Sequence, residues 1–179
     1  KYLLASTCLV AVIAIPAQAE TTIGTATTAP VRTSTINAGA ADDIKITSAG
    51  SVKPTSGVAV TVDSDNMLIN EGTIEISNVD NATGILANAG VTGTITNGAT
   101  GKIILDEPYA PTDSDNDGDI DGPFAIGTDR TGIATAGAFT GNITNSGAIT
   151  IEGNDSAGIR LGGTLTGNFV HDGTTGVLG

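Results

Sequence analysis

Apolar and small polar residues alternate in short runs along most of this chain. Between Thr140 and Leu161 the sequence reads TGNITNSGAITIEGNDSAGIRL, and three such runs stand close together: Asn142-Ile143-Thr144, Ala148-Ile149-Thr150-Ile151 and Gly158-Ile159-Arg160-Leu161. A period of two is the pattern of a strand with one buried face. Asn145, Gly147, Gly153, Asn154 and Gly158 lie between the runs and supply turn conformations that β-branched residues refuse. No stretch of ten or more residues keeps a helical period.

The same runs recur at fixed distances. A Thr-Gly-Ile-like element stands at Gly57, Gly84, Gly132 and Gly158, in steps of 27, 48 and 26; a TGxI-like element stands at Gly93, Gly141 and Gly167, in steps of 48 and 26. Turn residues recur at Gly72, Asn97-Gly98, Gly147 and Gly173. Three elements sharing one spacing define a unit of 26 to 27 residues, one copy of which is lengthened by about 22. A unit this short cannot bury an apolar face alone, so copies must stack and share a core. Three strands and three turns per unit predict an all-β fold, a parallel β-helix in which each strand pairs with its equivalent one coil away. Leu68 to Ile76 is the first clean copy. The expected start is at Thr35 to Gly39 and Ile44 to Ile46, with a looser step of 33 from Gly39 to Gly72, while Glu20 to Arg32 is expected to be a poorly ordered lead-in or a first irregular coil. Asn70, Asn97 and Asn145 fall at equivalent turn positions, and His171 falls at the next. Stacked amides of this kind hydrogen-bond along the stack, so His171 is expected to substitute for an Asn in a ladder rather than act as a base or metal ligand.

Composition narrows the function classes. Aromatic residues make up only 3%, which suits a narrow interior filled by rows of Ile, Val, Leu and Ala. Seven basic residues against 19 acidic ones, a net charge of −12, argue against nucleic acid and anionic membrane surfaces as partners. The first nineteen residues are organised differently. Lys1 precedes an apolar run, Leu9 to Ile15, and then Pro16-Ala17-Gln18-Ala19, the basic, apolar and Ala-x-Ala layout of a secretory signal peptide cleaved after Ala19. Cys8 lies inside it, so residues 20–179 form a cysteine-free mature domain that cannot form a disulfide.

The lengthened copy holds an insertion, residues 106–129, after Ile103-Ile104-Leu105. Asp113, Asp115, Asp117, Asp119 and Asp121 alternate there, with Gly118 at the sixth place and Ile120 at the eighth. Hard oxygen ligands at places one, three and five, a Gly that permits the sharp turn, a backbone carbonyl at Asp119 and a water-mediated contact at Asp121 are the start of a calcium loop. Phe124 stands where an EF-hand has its bidentate Glu, so the last ligand would come from Asp106, Glu107 or Asp129, and the expected affinity is weak, ~10⁻⁴ to 10⁻³ M. The competing expectation is a solvated acidic loop without an ion. Calcium would stiffen the loop and take no part in catalysis.

A signal peptide ending Pro-Ala-Gln-Ala, a mature chain without cysteine, GxITNxGxIxIxGNxSxGI repeats and the DSDNDGDIDGPFAIGTDRTGI insertion together resemble the N-terminal part of an autotransporter passenger, the exported portion of type V secretion proteins of Gram-negative bacteria. The resemblance covers essentially the whole chain. It implies a right-handed parallel β-helix, export by the general secretion machinery, and an outer-membrane barrel translocator, which these residues do not supply and which is expected downstream of Gly179. It implies a secreted or cell-surface location and contact with a host or neighbouring cell surface or its glycans, but no single activity. The first expectation is therefore a structural, adhesive passenger and no enzyme. Two alternatives stay open: a calcium-assisted polysaccharide lyase, with Arg130 or Arg160 as the basic group beside the acidic loop, and an extracellular matrix or S-layer-like protein bridged by calcium.

Overall fold

The computed structural model describes residues 20–179; the signal peptide and Cys8 lie outside the described residues. Eighteen short strands wind into six coils, and no helix occurs among the described residues. The first coil carries β1 (Glu20–Ile23), β2 (Ala26–Thr27) and β3 (Val31–Arg32), and the second carries β4 (Asp43–Ile46), β5 (Ser51–Val52) and β6 (Val58–Val62). The third holds β7 (Leu68–Asn70), β8 (Thr73–Ser77) and β9 (Thr83–Ala87); the fourth holds β10 (Thr92–Asn97), β11 (Lys102–Asp106) and β12 (Thr131–Thr135). The fifth holds β13 (Phe139–Asn145), β14 (Ala148–Glu152) and β15 (Ala157–Leu161), and the sixth holds β16 (Leu165–Thr166), β17 (Phe169–His171) and β18 (Thr174–Leu178). Equivalent strands pair in parallel, which builds three sheets along the stack: β1-β4-β7-β10-β13-β16/β17, β2-β5-β8-β11-β14-β18 and β3-β6-β9-β12-β15. The fold is a parallel β-solenoid, as the repeat predicts.

The core consists of columns. Ile44, Leu68, Ile95 and Ile143 lie on one another in the first sheet, Val52, Ile74, Ile103 and Ile149 in the second, and Val60, Ile85 and Ile133 in the third. All are at most 1% exposed. Each such burial stabilises by about 1.5–3 kcal/mol relative to exposure, so the shared core supplies what no single coil can. Small residues close the corners where a side chain would not fit. A Cβ at Gly132 would lie 2.5 Å from the Gly158 carbonyl oxygen and 2.7 Å from Ile149 Cγ2, inside the core. Two residues ahead of that glycine column's Thr or Ala partners, Asn81, Asp129 and Asp155 all adopt φ of 52–56°, the left-handed turn that Asn and Asp tolerate best.

The register differs from the sequence expectation in three places. Of the two expectations for Glu20 to Arg32 the first irregular coil holds, since among the described residues β1 already pairs residue for residue with β4; Gly50 rather than Gly39 underlies Gly72. The steps between the first coils are irregular, 23 from Glu20 to Asp43, 22 from Ser51 to Thr73 and 29 from Val31 to Val60, and Asn37 closes a local bridge with Ala40 in the loop after β3. Gly57 is not the equivalent of Gly84, because Val58 pairs with Thr83 and Val60 with Ile85, which sets Ala59 opposite Gly84. Gly101, not Gly98, continues the Gly72–Gly147 column, since Lys102 pairs with both Thr73 and Ala148. In each case ladder pairing and core columns overrode a local Gly match, because register is set by which face is buried.

Leu161 at the end of the fifth coil and Phe169, Val170, Val177 and Leu178 in the sixth are exposed. Phe169, Val177 and Leu161 lie on the buried Ile143, Ile151 and Thr135, whereas Val170 and Leu178 continue the outward positions of Thr144 and Glu152.

Candidate functional site

The insertion leaves the stack after β11. Asp106 still belongs to that strand, pairs with Ser77 and accepts a hydrogen bond from its hydroxyl. The excursion returns through Ala125, which is fully buried, and Thr128, which bridges to Asn154 of the next coil. Asn154 Nδ2 donates to the Ala125 carbonyl at 2.9 Å, Asn81 N–H donates to the Thr128 carbonyl at 3.1 Å, and Thr128 N–H donates to Asp80 Oδ1 at 2.9 Å. Both neighbouring coils therefore hold the return leg.

A buried ion pair ties the two ends of the excursion together. Arg130 is 1% exposed, and its Nη2 lies 3.2 Å from Glu107 Oε2, itself 2% exposed, and 3.6 Å from Asp80 Oδ1. Its Nε donates to the Val79 carbonyl at 2.9 Å, and Nη1 donates to the Glu152 carbonyl. Glu107 accepts from the Ile126 and Gly127 N–H groups at 2.6 and 2.7 Å, and its own N–H donates to Glu152 Oε2 at 3.1 Å. Every polar atom of the pair is satisfied, the condition under which a desolvated pair holds its geometry. Sequence reasoning placed Arg130 beside the acidic loop as a basic group but did not find Glu107 as its counterpart. A lone Glu just past a strand carries no periodic signal.

At the tip, carboxylate oxygens of Asp113, Asp115 and Asp117 lie within 4.8 Å of one another. Gly118 turns the chain with φ of 101°, and Asn116 with φ of 61°. Asp113 accepts from the Asn116 and Gly118 N–H groups at 2.6 and 3.1 Å, and Asp115 and Asp117 each accept from the N–H two residues on at 3.2 Å. The remaining two acids of the run are not in this group. Asp121 turns to Ser114, whose hydroxyl and N–H donate to it and hold its carboxyl below the ordinary carboxylate value; Asp119 is not among the three that converge. None of the three expected closing ligands joins the cluster either. Glu107 is held by Arg130, Asp106 bonds Ser77, and Asp129 accepts from the Thr128 hydroxyl at 3.0 Å. Three convergent, exposed carboxylates suit a hard divalent cation that keeps most of its water.

The other basic candidate, Arg160, is exposed on β15 of the third sheet, whereas Arg130 has no solvent-facing nitrogen to offer as a base. His171 lies where the ladder predicts it. Asn70 Nδ2 donates to Asn97 Oδ1 and Asn97 Nδ2 to Asn145 Oδ1, each at 2.7 Å, and Asn145 Nδ2 lies 3.0 Å from His171 Nδ1. The His171 ring thus takes the next place of the ladder, with Nδ1 as the partner of the Asn145 amide.

No family model matches the chain, and neither curated proteins nor solved structures give a significant match.

Proposed function

We propose that this chain is part of an exported β-solenoid passenger that works as a rigid structural and adhesive rod at the surface of a Gram-negative cell or in its secretions. The observation that supports the reading is the uninterrupted stack of six coils with a tethered acidic insertion: a rod whose outer faces and one projecting loop are free for contact. The partners on this reading are the general secretion machinery, an outer-membrane barrel encoded downstream, and a host or neighbouring cell surface. Asp113, Asp115 and Asp117 would hold a calcium ion that stiffens the insertion.

Two experiments test it. Expression of the gene with its native flanks in a Gram-negative host, followed by surface proteolysis and N-terminal sequencing, should give a protease-accessible protein beginning at Glu20; retention of an uncleaved product in the cytoplasm refutes the export reading. Calcium titration should show uptake by the parent protein and none by Asp115→Ala/Asp117→Ala, and equal uptake by both removes the metal.

A further inference from the structure

The turns joining the first and second sheets differ in length from coil to coil. In the second and fourth coils four residues separate the strands, Thr47 to Gly50 and Gly98 to Gly101. In the third, fifth and sixth coils there are two: Glu71-Gly72, Ser146-Gly147 and Asp172-Gly173. Over these turns lies an open groove of about 630 Å³, lined by residues of five successive coils from Ser48 to Thr174. Across five coils at ~4.8 Å spacing its length is about 19 Å.

The chain cannot fill this groove itself. A Cβ on Gly72, Gly147 or Gly173 would run into a carbonyl oxygen of the coil beneath. Nor can a peptide be added by strand pairing, since the carbonyls of Gly50, Gly72, Gly101 and Gly147 already accept from Thr73, Lys102, Ala148 and Thr174. What remains available to a ligand is side-chain chemistry: the hydroxyls of Ser48 and Ser146, the carboxylates of Glu71 and Asp172, and the Lys102 ammonium, while the Thr100 hydroxyl already donates to the Glu71 carbonyl and Oε2 at 2.7 and 2.8 Å. No aromatic or large aliphatic side chain lines it, which excludes a lipid or a flat apolar ligand. The Asn ladder runs just inside, at the ends of the first-sheet strands, so the floor is fixed before any ligand arrives.

We propose that this groove binds a linear oligosaccharide laid parallel to the stack. A polymer of hydroxyl-bearing rings matches a site of mixed donors and acceptors that repeats from coil to coil, and its length calls for a chain of several sugars, not a monosaccharide. Binding rests on Asp172 and the Glu71 carboxylate accepting from sugar hydroxyls, and on Ser48, Ser146 and Lys102 donating. This deepens the surface-contact reading by naming the chemistry of the partner; export and adhesion on cells can fail while the purified protein still binds sugar, and the reverse.

The test is NMR titration of the protein with linear hexasaccharides, neutral (cellohexaose, xylohexaose and chitohexaose) and acidic (hexagalacturonate), each against its disaccharide. The expected result is movement of the Gly72, Gly101, Gly147 and Gly173 amides by at least one hexamer, with the disaccharide at least about tenfold weaker. Glu71→Gln/Asp172→Asn should weaken binding by about tenfold or more, the loss expected for charge-assisted hydrogen bonds, and Ala99→Arg should block the groove. Arg160→Ala, on the third sheet, should leave binding unchanged. The proposal is overturned if no hexamer in the panel moves those amides at millimolar concentration, if hexamer and disaccharide bind alike, or if the groove variants bind as the parent does.

Discussion

Replacing Asn97 by Ala tests the ladder at its centre. Asn97 is fully buried; it accepts from Asn70, donates to Asn145, and makes a longer contact of 3.4 Å to the Gly101 carbonyl. Truncation strands two partners unequally. Asn70 Nδ2 keeps a 3.3 Å bond to the Lys102 carbonyl, whereas Asn145 Oδ1 loses the donor that satisfied it. A buried polar group left without a partner costs about 1–3 kcal/mol. One full loss, one partial loss and the vacated volume give an expected destabilisation of about 2–4 kcal/mol, against a total of about 5–15 for a domain. Equilibrium urea unfolding followed by circular dichroism reads the sum, and hydrogen exchange reads where it falls, since stacked coils can open separately. Protection should drop in β7, β10 and β13 before it drops in β1. Thr96→Ala, one residue earlier and half-exposed on the outer face, serves as control. If Asn97→Ala and Thr96→Ala cost the same within about 0.5 kcal/mol, the ladder does not stabilise the stack and the reasoning fails.

Three further outcomes follow from the same structure. Gly132→Ala should destabilise by about 1–3 kcal/mol through overpacking, while Gly176→Ala, with nothing within 4 Å of its added Cβ, should stay within about 0.5 kcal/mol of the parent in the same unfolding assay. Arg130→Met leaves the buried Glu107 charge uncompensated and should cost about 3–5 kcal/mol, whereas Arg130→Met/Glu107→Met should recover much of it; limited proteolysis should cut residues 108–125 faster in the single variant only. For Asp63, burial raises the carboxyl pKa but is outweighed by the Ser34 N–H and hydroxyl and by Arg32, so the group sits below its ordinary value of 3.8. A depressed carboxylate adds stability that is fully present above 3.8 and disappears as pH falls through the folded value. Stability measured from pH 6 to 2 should therefore fall less steeply at the acid end in Asp63→Asn than in the parent.

The sequence by itself determined the kind of structure. In a stack where each coil touches only its neighbours, equivalent residues must lie on one another, so a step of 26 to 27 residues, lengthened to 48 across the insertion, already names the columns Ile95–Ile143 and Ile133–Ile159 and the ladder from Asn70 to His171. The first three acids of the insertion were legible for a similar reason: a short local turn brings alternate residues together. Tertiary structure decided the rest. The N-terminal coils depart from the period, and only pairing of β1 with β4 and the burial of Val60 against Ile85 set their register, overriding Gly39 and Gly57. Glu107 and Arg130 are 23 residues apart across an irregular loop, so no spacing rule joins them; their contact exists because coils on either side close over both. The groove is likewise absent from any single repeat. It exists only because the turns of five successive coils lie side by side once the coils are stacked.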